Sequence, residues 1–124
     1  MSTDIVVDGA VIRKGASVLW ENPPNHFDAM SKMLVRPENA ATKQFDFRIS
    51  IYQPKGYVAP HHHVVQEQIY HIRAGEALME LSGQRFVVGP QDTIFIPPGV
   101  EHAIYNTGIG DLVFYVITSP PEDE

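Results

Sequence analysis

The sequence predicts an all-β domain, a sandwich or barrel. Three observations point to it: many short stretches alternate apolar with polar residues, breakers punctuate them at regular spacing, and no ten-residue segment carries a helical apolar stripe. The alternation is diagnostic because successive side chains leave opposite faces of an extended chain. With 124 residues and 13.9 kDa, the chain has material for one core and one site. The reading is therefore a single domain over residues 1–118 with an N-terminal strand extension, and a disordered acidic tail over 119–124, where Pro120, Pro121, Glu122, Asp123 and Glu124 follow the last apolar run.

The elements follow in order. Short extended pieces are expected at 5–7, 11–12 and 18–20, separated by Gly9 and Gly15, and a connector follows at Asn22-Pro23-Pro24-Asn25. A strand at 30–35 stops before Pro37. The clearest strand is 45–53, where Phe45, Phe47, Ile49 and Ile51 alternate with Asp46, Arg48, Ser50 and Tyr52. Strands at 67–73 and 76–81, a hairpin turn at Ser82-Gly83-Gln84, and strands at 85–88 and 93–96 come next. The run 112–117 is apolar throughout, as in a strand covered on both faces. Phe47, Ile49, Tyr70, Ile72, Met79, Phe95 and Ile104 are expected in the core, with Arg48 and Glu101 in solvent, and His26 and His71 as ordinary hydrogen-bonded or surface histidines.

Composition excludes several functions. Cysteine is absent, so disulfides and thiolate ligation are ruled out and any metal is held by nitrogen and oxygen. A formal charge of -6 without clustered Lys or Arg argues against nucleic acid, and the 18 residues after Asn106 are too few for a helix-turn-helix. No apolar stretch approaches the roughly 20 residues of a membrane helix. Residues 1–4 show no basic and apolar leader, so the cytoplasm is the expected location.

Two segments carry the chemistry. His61 and His63 are one residue apart, so in an extended chain they share a face while His62 points away. Pro97-Pro98-Gly99 makes a tight turn ahead of a strand with His102, Ile104 and Asn106 on one side, which supplies a third imidazole. The fourth ligand is Gln68 or Glu67. On the strand 67–73, Gln68, Tyr70 and Ile72 form the more apolar face, while Glu67, His71 and Arg73 share the other, which favours Gln68 facing inward. A one-residue slip in register would reverse that choice.

The series Gly56, His61, His63, Gln68 and Gly75, with gaps of four, one, four and six residues, resembles the first motif of the cupin superfamily. Pro97, Gly99, His102 and Asn106, with gaps of one, two and three, resembles the second. The resemblance implies a small double-stranded β-helix, or jelly roll, with one divalent metal (Fe, Mn, Ni, Zn or Cu) on His61, His63, Gln68 and His102, and a homodimer built through N-terminal strands. Two positions depart from the usual pattern. Gln68 stands where many cupins have glutamate, although some uronate-processing members use glutamine, and Gln91 stands where a glycine usually precedes the aspartate.

Three neutral imidazoles and a neutral amide leave the charge of a divalent ion undiminished, and four ligands leave two octahedral positions open. The expected function is Lewis-acid catalysis on a small anionic or enolisable oxygenated substrate, of isomerase, cyclase, lyase or decarboxylase type, with a general base the sequence does not single out. The alternatives are an iron-dependent dioxygenase and a non-catalytic binder of a small acid or sugar.

Overall fold

The computed structural model describes residues 4–123; residues 1–3 and Glu124, the ends of the expected domain and tail, lie outside the described residues. In chain order, β1 (Ile5–Val7) and β2 (Ala10–Ile12) form a separate hairpin, and a 3-10 turn occupies Gly15–Ser17. Then β3 (His26–Val35), β4 (Asp46–His61), β5 (Glu67–Ala74), β6 (Ala77–Leu81), β7 (Gln84–Val88), β8 (Thr93–Ile96), β9 (His102–Asn106) and β10 (Leu112–Ser119) build one sheet. Its order is β7-β6-β9-β4-β10-β5-β8, with β3 paired to β4, and every pairing is antiparallel. No α-helix occurs among the described residues, and the curled sheet is the all-β jelly-roll architecture expected.

Strand β4 joins the two halves of the curl. Its first half, to Tyr52, pairs with β10, and its end, from Tyr57 to His61, pairs with β9. A strand that serves both neighbours must bend, and it does so at Pro54, which lacks an N–H, and Lys55, whose φ is 70°. Gly56 completes the corner: a Cβ there would lie 2.5 Å from the Asp28 carbonyl oxygen and 2.9 Å from that of Gln53. The sequence reading ends this strand at 53; the breakers instead sit inside a bend that carries the chain on to His61. Gly75 turns β5 into β6 with φ +92°, and a Cβ there would meet the Asp111 carbonyl oxygen at 2.6 Å. Gln91 adopts φ 71°, the left-handed conformation that a glycine takes without cost.

The core lies inside the curl, with Tyr52, Tyr70, Ile72, Met79, Ile104, Leu112 and Phe114 all buried. The alternation in β4 is real, but its two faces are the reverse of those expected. Asp46, Ser50 and Tyr52 point inward and are buried, while Phe47, Ile49 and Ile51 lie on the outer face and are only partly covered. Phe95, also expected in the core, is 57% exposed. Period two tells which residues share a face, not which face is inside, and the apolar rule misleads where a polar cavity lies inside. The segment 18–20, expected as strand, follows the 3-10 turn without joining a strand, and a single bridge ties Glu21 to Ser31.

Candidate metal centre

His61 ends β4, His63 lies in the loop beyond it, and His102 opens β9 directly opposite His61. Their candidate ligand atoms all lie within 4.8 Å of one another. The ring centroids of His61 and His102 are 4.2 Å apart, and His63 stands 5.1 Å from the first and 5.5 Å from the second. His62 is exposed between them.

Backbone carbonyls fix the tautomers of two rings. The Nδ1 of His61 lies 2.7 Å from the Ala59 carbonyl oxygen, and that of His102 lies 2.9 Å from the Val100 carbonyl oxygen. A carbonyl can only accept, so each Nδ1 carries a proton, which leaves Nε2 as the nitrogen free to ligate. His102 is neutral at physiological pH, because burial pushes its pKa down to about 4. His63 is also held below the usual imidazole value, by burial first and by His61 second. Its Nε2 is buried and has no hydrogen-bond partner.

Gln68 faces this cluster and is buried, whereas Glu67 is exposed on the opposite face of β5. Thr118 sets its amide orientation: Gln68 Nε2 donates to Thr118 Oγ1 at 3.0 Å. Gln68 Oε1 is thereby turned toward His102 Nε2, at 3.2 Å. Two lone pairs then confront each other with no proton between them, beside the buried Nε2 of His63. Buried acceptors in that arrangement need a cation. The donors are nitrogen and neutral oxygen, and adjacent ligands on an octahedral ion with bonds near ~2.1 Å stand about 3 Å apart. The residues present therefore fit a divalent transition metal.

A cavity of about 90 Å³ adjoins the cluster, lined by His26, Arg48, Ser50, Tyr52, Gln66 and Tyr70 as well as by His61, His63 and Gln68. Burial raises the pKa of Tyr52 well above its ordinary value and that of Tyr70 to about 12, so both phenols stay protonated. His26 donates from Nδ1 to the Pro24 carbonyl oxygen at 2.7 Å and packs edge-on against Tyr52. Arg48 and His26, read from the sequence as solvated and incidental, both belong to the cavity; Glu101 and His71 are exposed, and His71 is bonded to Thr93 at 2.8 Å. The signal for Arg48 is its phase with Ser50 and Tyr52. Asn106, the last residue of the second motif, is structural: its Nδ2 donates to the carbonyls of Tyr52 and Gly110 at 2.8 and 2.9 Å.

The tail, expected to be disordered over 119–124, returns to the site. The Asp123 carboxylate accepts backbone N–H groups of Val64, Val65 and Gln66 at 2.8, 2.7 and 3.0 Å and lies 3.9 Å from His63 Nδ1. These N–H groups hold its pKa down to about 2.

Residues 48–118 match the model of the cupin domain. Solved structures with the same fold include a predicted oxalate decarboxylase from Thermotoga maritima (TM-score 0.78, 24% identity, 86% of this chain and 96% of that one). The polyketide cyclase RemF from Streptomyces resistomycificus (0.76, 22%, 88% and 78%) and KdgF from Halomonas sp. (0.74, 19%, 89% and 93%) are similar in the same way. At these identities the likeness shows the fold alone. An uncharacterized protein of Methanocaldococcus jannaschii is 41% identical over 61 residues, a match that spans 49% of each chain.

Proposed function

Because the chain belongs to the cupin domain family, and because three imidazoles and the Gln68 amide converge beside a cavity, we propose that it is a metal-dependent enzyme acting on a small anionic or enolisable oxygenated substrate. The reaction proposed is of isomerase, cyclase, lyase or decarboxylase type. The observation that carries this reading is the confrontation of Gln68 Oε1 with His102 Nε2 at 3.2 Å. His61, His63, His102 and Gln68 would hold the ion. A divalent transition metal bound there supplies Lewis acidity, drawing electron density from a substrate carbonyl or carboxyl oxygen.

The chain's own residues do the rest. All four donors are neutral, so none offsets the ion's charge, and an anionic substrate is favoured over a neutral one. The Nδ1–H bonds to Ala59 and Val100 hold two of the imidazoles in the orientation that leaves Nε2 to the cluster of candidate ligands. Tyr52 and Tyr70, protonated throughout the physiological range, are available as hydrogen-bond donors to a substrate oxygen. The cavity is far smaller than the ~300 Å³ of an ordinary ligand pocket, which limits the part of the substrate it encloses to a few atoms. The assembly proposed is a homodimer. Nucleic acid is not among the partners, given the charge of -6, and no helix among the described residues is long and apolar enough to cross a membrane.

The test is elemental analysis of the natively purified protein, with turnover of a panel of hydroxy-, oxo- and sugar acids followed with and without air. His102→Ala should strip most of the metal while His71→Ala leaves it; equal loss in both overturns the ligand assignment. Turnover that consumes oxygen would replace the proposed chemistry with that of a dioxygenase. Tight binding without turnover would make the protein a binder.

A further inference from the structure

Arg48 sits on the inner face of β4 opposite Val116, which in turn lies opposite Tyr70 of β5. Gln68 is two residues from Tyr70 on the same face, opposite Thr118. Arg48 and Gln68 thus flank β10 from either side, on strands about 10 Å apart, and their side chains enter the same cavity.

The guanidinium is incompletely used. A single terminal nitrogen, Nη2, donates to Asp46, with both carboxylate oxygens at the long distance of 3.3 Å. Arg48 Nε is buried and makes no hydrogen bond. An arginine presents five donors in a planar fork that matches a carboxylate through two parallel bonds, and a buried donor without a partner is destabilising. A fixed positive charge with a spare buried N–H, lining a small polar cavity, is the chemistry of an anion site. Its charge is felt around that cavity, at His26, His63, Tyr52 and Tyr70.

We propose that Arg48 is the carboxylate anchor of the cavity, and that the substrate is a short carboxylic acid bearing a second oxygen on the adjacent carbon. Its carboxylate takes the guanidinium and its second oxygen is left to the histidine face; this last part rests on the metal reading above. The cavity of about 90 Å³ sets the length. It has the volume of about three waters, which suits an acid of glycolate size and leaves a longer chain to protrude through the mouth.

The experiment is calorimetric titration of the full-length protein, chelator-treated and metal-loaded, with glycolate and with its neutral isostere glycolamide. In chelator-treated wild type, glycolate should bind and glycolamide should not. Arg48→Gln should weaken glycolate about tenfold or more in both forms, and Arg48→Lys should recover part of the loss, since charge returns without the fork. Glycolate binding equal to that of glycolamide, or unchanged in a folded Arg48→Gln variant, overturns the anchor. In wild type, the Arg48 Nε–H proton resonance should shift as glycolate is added; an unmoved resonance at saturation overturns the anchor even if the variants fail to fold. The two readings fail separately: without metal binding, glycolate still depends on Arg48, whereas a wrong anchor leaves metal content intact and removes only that dependence.

Discussion

At His102, burial outweighs the single carbonyl that Nδ1 meets, and the ring stays neutral in the folded protein down to about pH 4. In the unfolded chain the same imidazole takes up its proton near ~6.5. Between these values the unfolded state binds more protons, so stability falls as the pH falls. The contribution is complete above about 6.5 and lost by about 4, with an upper size of roughly 3 kcal/mol in the metal-free protein. His63 is shifted in the same direction. Urea midpoints of metal-free protein should therefore drop steadily from pH 7 to pH 4, and His102→Gln should flatten that slope; an unchanged slope would contradict the buried neutral ring. The convergence of the three histidines is legible in the sequence because their spacing encodes it. Arg48 and His26 are not, because alternation assigns residues to faces without saying which face is inside, and the inner face of β4 is polar.

The loop between β4 and β5 is held from outside itself. His63 belongs to no strand, and the backbone beside it relies on Asp123, whose carboxylate accepts three consecutive N–H groups from Val64 to Gln66. Gln66 Nε2 adds a bond to the Pro120 carbonyl at 3.1 Å. Without Asp123 those donors turn to solvent and His63 loses the restraint that sets it among the other donors. Asp123→Ala should therefore speed hydrogen exchange at the Val64, Val65 and Gln66 amides and weaken metal binding about tenfold, the usual effect of removing a group that orients a ligand. Exchange measured by NMR and competition against a chelator would show both; unchanged exchange would mean the loop holds itself. Such a contact cannot be read from the sequence, since 58 residues separate Val65 from Asp123 and an acidic chain end ordinarily signals disorder. The bend at Pro54 to Gly56 is hidden for a related reason: breakers look the same whether they end a strand or turn it.

One row of cross-strand neighbours runs over the outer surface of the curl: Val35 of β3, Phe47 of β4, Ile117 of β10, Ile69 of β5 and Phe95 of β8. All five are apolar, and Phe95, Ile117 and Ile69 are 57%, 39% and 37% exposed. This row explains why β10 reads as a strand covered on both sides: one face fills the core with Leu112, Phe114 and Val116, and the other is left open in the single chain. The β1–β2 hairpin is in the same position. Ile5, Val6, Val7 and Ile12 are all exposed, on both of its faces, and a two-stranded hairpin is marginal by itself. For the homodimer proposed above, this row and the hairpin offer the apolar surface an interface would cover, about 800 Å² on each copy in a stable pair. Two copies meeting through this row, with the hairpins as arms, satisfy both elements at once. Wild-type protein at micromolar concentration should have a light-scattering mass twice the 13.9 kDa of the chain. Ile69→Glu combined with Phe95→Glu should return it to one copy and lower its melting temperature, because two charges would then face the partner across an apolar seam. Wild type that elutes as a single copy at every concentration, or a double variant that stays paired, would show that this face serves some other purpose.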